Sequence, residues 1–144
     1  QPLFAYRPAH TTLVGRSVSS FVVGFQAGYA ITWSWDPRSA TWTRQAFGAP
    51  EKTATGVELG AENVVVMFVR YAPRVGVQGA QAQLLGHGNA MVFSDGKLVT
   101  GQWSRTHNSQ PAELSDTHGQ TITLTPGQTW VELIPTSYPV TLSP

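Results

Sequence analysis

Apolar and polar residues alternate along much of this chain, with few residues between one such stretch and the next. A period of two is typical of β-strands that bury one face, and no segment shows the 3.6-residue period of a helix. The run NVVVMFVRY is the most apolar in the chain and is rich in β-branched residues, which favours a central strand. The predicted strands are Ser17–Phe25, Tyr29–Trp35, Thr41–Phe47, Val57–Leu59, Asn63–Tyr71, Gln81–Leu85, Asn89–Phe93, Leu98–Arg105, Leu114 with Ile122–Leu124, and Thr129–Ile134.

Turn residues separate these stretches. Asp36-Pro37-Arg38-Ser39 predicts a hairpin turn, because proline fixes φ and aspartate can accept a bond from the backbone that follows it. Asp95-Gly96 is the strongest local signal, since a type I′ turn needs positive φ at both positions. Gly86-His87-Gly88 predicts a tight turn between two strands, and Pro73–Gly79 interrupts the apolar run.

The fold class predicted is mainly β, an antiparallel sandwich or partly closed barrel of about nine or ten short strands with little or no helix. Residues 1–16 are expected to be an extended lead-in, residues 17–135 the β domain, and residues 136–144 a proline-rich departing tail.

Composition narrows the classes of function. Hydrophobic residues make up 41% of the 144 residues and charged residues 12%, which excludes a charge-rich disordered chain. A net charge of +1 offers no broad field for nucleic acid or anionic lipid. No stretch approaches the roughly 20 apolar residues that span a bilayer, so we expect a soluble chain. Without cysteine there is no disulfide, thiolate nucleophile or zinc-thiolate site.

No catalytic or metal motif stands out. Gly86-His87-Gly88 lacks the third glycine and the helix of a dinucleotide fingerprint. The histidines, at positions 10, 87, 107 and 118, are too far apart for a local metal pattern and are expected at the surface, so neither metal nor cofactor is predicted. Asp36, Asp95 and Asp116 fall in turns, and Glu132, opposite Val131 and Leu133 in its strand, is expected to face solvent.

The tryptophans Trp33, Trp35, Trp42, Trp103 and Trp130 all fall on predicted strands. Most are expected to fill the core. An indole face can also pack against a sugar or a base, and a nearby arginine can add hydrogen bonds. The candidate ligand-binding residues are therefore Trp103 with Arg105, on an exposed surface, and Arg44.

Four segments carry a family resemblance: ITWSWDPRSATWTRQAFGAP, TGVELGAENVVVMFV, LLGHGNAMVFSDGKLVTGQWSR and LSDTHGQTITLTPGQTWVELIP. Together they resemble the C-terminal domain of the YerB-like bacterial lipoprotein family, whose function is unknown. The resemblance implies an extracytoplasmic location in the cell envelope, a lipid-anchored parent protein and an N-terminal domain ahead of this one. It supplies no catalytic residues. This chain has Glu51 and Thr53 where the family pattern has histidine and aspartate.

Gln1 is not an initiator methionine, which agrees with a processed or excised piece of a longer protein. The first hypothesis is a non-enzymatic envelope domain that binds a cell-wall polymer or a partner protein and packs on its N-terminal domain, with no nucleic-acid partner. The alternative is a cell-wall hydrolase whose active site is shared with the N-terminal domain. A third hypothesis, a domain that only supports its neighbour, predicts a bare apolar patch.

Overall fold

The computed structural model describes residues 4–24, 30–46, 48–73 and 80–144. Within these ranges there are thirteen strands and no helix, so none that could cross a membrane. The strands are β1 (Arg16–Ser17), β2 (Ser20–Gly24), β3 (Ala30–Asp36), β4 (Thr41–Ala46), β5 (Ala49–Pro50), β6 (Gly60–Ala61), β7 (Asn63–Pro73), β8 (Ala80–Gln83), β9 (Gly86–Ser94), β10 (Lys97–Arg105), β11 (Glu113–Asp116), β12 (Thr129–Pro135) and β13 (Val140–Ser143).

The strands form two sheets. The first has the order β1-β10-β9-β7-β12, with β11 added to β10 and β8 added to β7. The second has the order β13-β2-β3-β4-β5, with β6 added to β4. Neither sheet closes on itself, so the predicted mainly β sandwich is confirmed and the barrel form is not adopted.

The predicted hairpins are confirmed where the structure describes them. β3 pairs with β4, and the Arg38 backbone N–H donates to Asp36 Oδ1 at 2.9 Å in the turn between them. β9 pairs with β10 along their full length, and Asp95 and Gly96 both have positive φ, 55° and 70°. The predicted strand ends at residues 25, 29 and 47, and most of the break at 73–79, lie outside the described residues.

Several features differ from the predictions, among them the stretches Val57–Leu59 and Ile122–Leu124, which form only isolated bridges and no strand. β12 runs parallel to β7, a pairing that alternation alone cannot distinguish from an antiparallel one. Val140–Ser143 is not a departing tail, because it pairs with β2 at the edge of the second sheet. Gly86–Gly88 is not a turn but the start of β9, paired with Trp103–Arg105 of β10.

The apolar run of β7 is explained by burial on both sides. On the face that we call inner, Val64, Val66 and Phe93 of the first sheet pack against the second sheet, whose largest buried side chains are Phe21, Trp33 and Trp42. On the outer face, Val65, Met67 and Val69 pack with Phe4 and with residues of the segment 112–124. A strand that is buried on both faces does not alternate between apolar and polar residues.

The lead-in is fixed to this outer layer. Arg7 is 8% exposed, and its guanidinium donates to Ser94 Oγ at 3.1 Å and to the Thr123 carbonyl. The Arg7 backbone N–H donates to the carbonyl of Leu124 at 2.7 Å. Burial lowers the pKa of Arg7, with Asp95 acting in the opposite direction. The segment therefore belongs to the packed domain.

The first sheet splits near its middle. The ladder between β7 and β9 ends at Met67 and Ala90, and farther along β7 the residues Arg70–Pro73 pair with β8 instead. Across this split, Trp103 of β10 donates its indole Nε1–H to the carbonyl of Phe68 at 2.9 Å. Gly88 lies between the two groups, so Trp103 replaces the missing strand-to-strand contact.

This arrangement predicts that Gly88→Ala destabilises the fold. An alanine Cβ would lie 2.5 Å from the Phe68 carbonyl oxygen and 2.6 Å from Trp103 Nε1, closer than non-bonded atoms tolerate. We expect a loss of about 1–3 kcal/mol in the free energy of unfolding, the usual cost of overpacking, measured by chemical denaturation. The control is Asn89→Ala at the exposed neighbouring position. A Gly88→Ala protein as stable as the control would contradict the role given to Trp103.

Candidate functional site

The inner face of the first sheet is longer than the sheet that covers it. Val64 and Val66 of β7 are in the shared core, whereas Phe68 is only partly buried and Arg70 is exposed. The same change occurs along β9, from buried Phe93 to exposed Asn89. On β10 it runs from buried Leu98 to exposed Gln102. One end of the inner face is therefore open and polar.

Two adjoining cavities occupy this open end. One, of about 600 Å³, lies at the split between β7 and β9, and the other, of about 720 Å³, extends across β10 toward β11. Phe68 and Asn89 line both cavities, so the two form one continuous depression. We call it the inner-face groove and define it by Phe68, Arg70, His87, Asn89, Met91 and Gln102.

The groove is suited to hydrogen bonding with an extended polar ligand. The side-chain amides of Asn89 and Gln102 each offer two donors and one acceptor oxygen. Phe68 and Met91 provide apolar surface beside them. A few polar groups on an apolar floor, fixed by neighbouring strands, are typical of binding sites for small molecules and polymer segments.

Trp103 is not on an exposed surface, so that expectation is wrong. Its side chain is 2% exposed, because it packs in the outer core and its Nε1–H is bound to Phe68. Trp103 does line the wall of the cavity at the split, next to Gly88. Its assignment as a ligand-binding residue stays a prediction.

Arg105 and Arg44 lie elsewhere. Arg105 donates to the backbone carbonyls of Gln110 and Asn108, at 2.8 and 2.7 Å, and so holds the loop after β10. Arg44, on β4 of the second sheet, forms ion pairs with Glu51 and Glu132. The three predicted ligand-binding residues therefore do not form one site.

The ion pairs of Arg44 form a second polar cluster, between the two sheets. Arg44 Nε lies 3.1 Å from Glu132 Oε1, and the guanidinium also bonds to Glu51. The Arg44 guanidinium carbon is 4.9 Å from the ring centre of Trp130 and 5.8 Å from that of Trp33. This cation–π geometry and the two carboxylates fix Arg44 between the sheets.

Glu132 does not face solvent, contrary to the expectation. It is 5% exposed, because the face of β12 that carries it also carries buried Ile134 and is turned toward the second sheet. Burial raises the pKa of Glu132, and the opposing effects of Arg44 and the nearby Trp33 and Trp130 indoles are smaller. Although burial alone would lower the pKa of Arg44, its two carboxylate partners together outweigh burial and raise it.

The remaining charged and metal-binding candidates are at the surface or in turns. All four histidines are exposed, as predicted. Asp116 accepts bonds from the backbone N–H groups of His118 and Gln120, which lowers its pKa. Within the described ranges, no three histidine or carboxylate side chains lie close enough together to hold a metal ion.

The groove residues were missed by the sequence reasoning, although a signal was present. On β9, Phe93 and Met91 are followed on the same face by Asn89 and His87. On β10, Leu98 is followed on that face by Gln102. A face that changes from apolar to polar midway along a strand indicates where the covering sheet ends.

Comparison with known proteins identifies the family. Residues 21–131 match the family model described as "Protein of unknown function (DUF3048) C-terminal domain". The chain belongs to this family. The match lies within the predicted domain bounds of 17–135 and agrees with the YerB-like resemblance of the sequence.

A solved structure has the same fold as this DUF3048 C-terminal domain. The crystal structure of YerB protein from Bacillus subtilis superposes with a TM-score of 0.75 at 15% sequence identity. The match covers 96% of this chain but 46% of that protein, so the domain spans about half of its length. No curated protein matches the sequence.

The segments that resemble the family supply both polar features of this DUF3048 C-terminal domain. LLGHGNAMVFSDGKLVTGQWSR contains His87, Asn89 and Gln102 of the groove. The hairpin segment contributes Arg44 and Trp33 to the ion-pair cluster, and TWVEL contributes Trp130 and Glu132. Glu51, at the position where the family pattern has histidine, bonds to Arg44 and thus has a structural partner in this chain.

The raised pKa of Glu132 predicts a pH effect on stability. Above the ordinary glutamate value of about 4.3, the folded protein still holds a proton at Glu132 that the unfolded chain has released. The contribution of this group to the free energy of unfolding therefore falls as pH rises through that window. We expect the stability of the wild type, relative to Glu132→Gln, to decrease from pH 4 upward, measured by denaturation at each pH.

The matched control for this prediction is Glu113→Gln, which removes an exposed carboxylate on β11. If the free energy of unfolding of the wild type, relative to that of Glu132→Gln, instead increased with pH, the pKa of Glu132 would be lowered. The effect of Arg44 would then outweigh that of burial.

Proposed function

We propose that this DUF3048 C-terminal domain is a non-enzymatic binding domain of an extracytoplasmic cell-envelope protein. Its proposed ligand is a cell-wall polymer, and the alternative ligand is a partner protein. The inner-face groove is the observation that carries the proposal. It is long enough to cross several strands, from β7 to β11. Its exposed side chains include the amides of Asn89 and Gln102 and the hydroxyls of Thr100 and Thr117, groups that bind sugars and peptides.

The arrangement of the carboxylates supports binding over hydrolysis. A typical glycosidase needs a pair of carboxyl groups, one on each side of the bond that it breaks. In the described part of the groove the lining carboxylate is Asp116, which holds its own turn through two backbone N–H groups. Apart from this carboxylate, which is already bound within its turn, the described residues of the groove present neutral and basic groups to a ligand.

A lipid-anchored parent protein and an N-terminal partner domain belong to the same proposal. The support is the YerB-like resemblance together with the match to about half of YerB protein. An apolar groove of about 450 Å³ on the outer face, lined in part by Phe4, Leu84 and Val131, is our proposed contact with the N-terminal domain. Val131 is 38% exposed there, in keeping with an apolar surface that a neighbouring domain would cover.

A cell-wall hydrolase is the second candidate, and Glu132 favours it. A buried glutamate with a raised pKa is suited to general acid catalysis, and Glu51 shares its partner Arg44. Both carboxylates bind an arginine on this chain, so catalysis requires that Arg44 be displaced by substrate or by the N-terminal domain. If the domain releases reducing ends from cell walls, and if Glu132→Gln abolishes that release, the result would favour this candidate.

The test of the proposal is co-sedimentation of the purified domain with insoluble bacterial cell walls. We expect the wild type to pellet, and the double variant Asn89→Ala/Gln102→Ala to bind about tenfold more weakly, because each lost amide removes about 0.5–1.5 kcal/mol of hydrogen bonding. The matched control is Asn108→Ala/Gln128→Ala, which removes an exposed asparagine and an exposed glutamine outside the groove.

Equal pelleting of the two double variants would exclude the groove as the binding site. Failure of the wild type to pellet, with and without the N-terminal domain, would contradict wall binding and leave the protein-partner form of the proposal.

A further inference from the structure

The end of the inner-face groove nearest the split carries basic side chains. We propose that this end is an oxyanion subsite, in which Arg70, with His87 beside it, binds a phosphate or carboxylate group carried by the wall polymer. The inference rests on the proposed function and adds the chemical class of the ligand.

Arg70 and His87 lie around one cavity. Arg70 follows Phe68 on the inner face of β7, and His87 precedes Asn89 on the same face of β9. All four residues line the cavity of about 600 Å³. The split places two basic side chains around one space, because β7 and β9 stop pairing just before these residues.

The charges around this cavity favour an anion. Among the described residues that line this cavity there is no aspartate or glutamate. Both ion pairs within the described ranges belong to Arg44, so Arg70 is exposed without a carboxylate partner there. An arginine in a cavity without acidic residues favours an anionic ligand, and its planar guanidinium matches the paired oxygens of phosphate and carboxylate.

The backbone that carries Arg70 and His87 is held in strand ladders. Arg70 begins the ladder between β7 and β8, opposite Gln83. His87 is held from the other side by the ladder between β9 and β10, opposite Ser104. Both side chains thus project from paired backbone, so little ordering of the main chain is required when an anion binds.

The test compares Arg70→Gln with Arg38→Gln in the cell-wall pelleting assay. Arg38 is also an exposed arginine, in the turn between β3 and β4. The turn follows Trp35, whose indole lies against Gly96. Gly96 is at the end of the first sheet opposite the groove, so Arg38 is far from the proposed subsite. We expect Arg70→Gln to bind roughly tenfold more weakly, the loss of one charge-assisted contact, and Arg38→Gln to bind as the wild type does.

Chemically treated walls identify the anion. One batch is stripped of phosphate-bearing polymers, and in another the carboxylates are converted to amides. On the batch that lacks the true ligand group, wild-type binding should fall to the level of Arg70→Gln, and the two proteins should then bind equally. Thermal melting of both variants confirms that each is folded.

Three results would overturn the inference. If Arg70→Gln binds untreated walls as the wild type does while Asn89→Ala/Gln102→Ala is weakened, the subsite is wrong and the binding groove stands. If Arg70→Gln is weakened but its difference from the wild type persists on both treated batches, Arg70 acts without an anion. Failure of every protein to pellet would reject the subsite together with the wall-binding function on which it rests.

Discussion

The hydrogen bond from Trp103 Nε1 to the carbonyl of Phe68 is the contact on which the open end of this domain depends. It links β10 to β7 across a place where β9 no longer pairs with β7. Without a donor there, the Phe68 carbonyl would lose its partner in the sheet, which costs about 1–3 kcal/mol when the group is buried. Gly88 makes the link possible because a side chain at that position would occupy the same space. Because β7 and β9 do not pair beyond this point, a cavity remains at the split. This cavity forms one end of the groove.

The two polar features of the inner face have different physical roles. Arg44, Glu132 and Glu51 lie where the second sheet covers the first, and their charges satisfy one another. Such a partly buried cluster fixes how the sheets face each other, even where it adds little net stability. The groove lies beyond the cover, and the Asn89 and Gln102 side chains are open to solvent. A domain that binds an external ligand needs polar groups open to solvent, as in the groove. The ion-pair cluster keeps the scaffold of the groove rigid.

Much of the fold follows from local patterns, whereas the site depends on which surface covers which. Alternation and turn residues predict β3, β4, β9 and β10 because their pairing is between sequence neighbours. The parallel pairing of β12 with β7 and the strand at Val140–Ser143 depend on contacts between distant segments. Glu132 shows the same limit: its strand alternates as expected, but only the second sheet determines which face is buried. Trp103 was assigned to a surface for the same reason, since its sequence gives no sign of the split that it fills.

The most direct test of the groove as the binding surface is a titration of the isotopically labelled domain with soluble cell-wall fragments, followed by NMR. We expect the backbone amide signals that shift first to be those of Phe68, Arg70, Asn89 and Gln102, which meet at the groove. Shifts confined to Arg44, Glu132 and their tryptophan neighbours, with the groove signals unchanged, would contradict it and place the ligand at the ion-pair cluster.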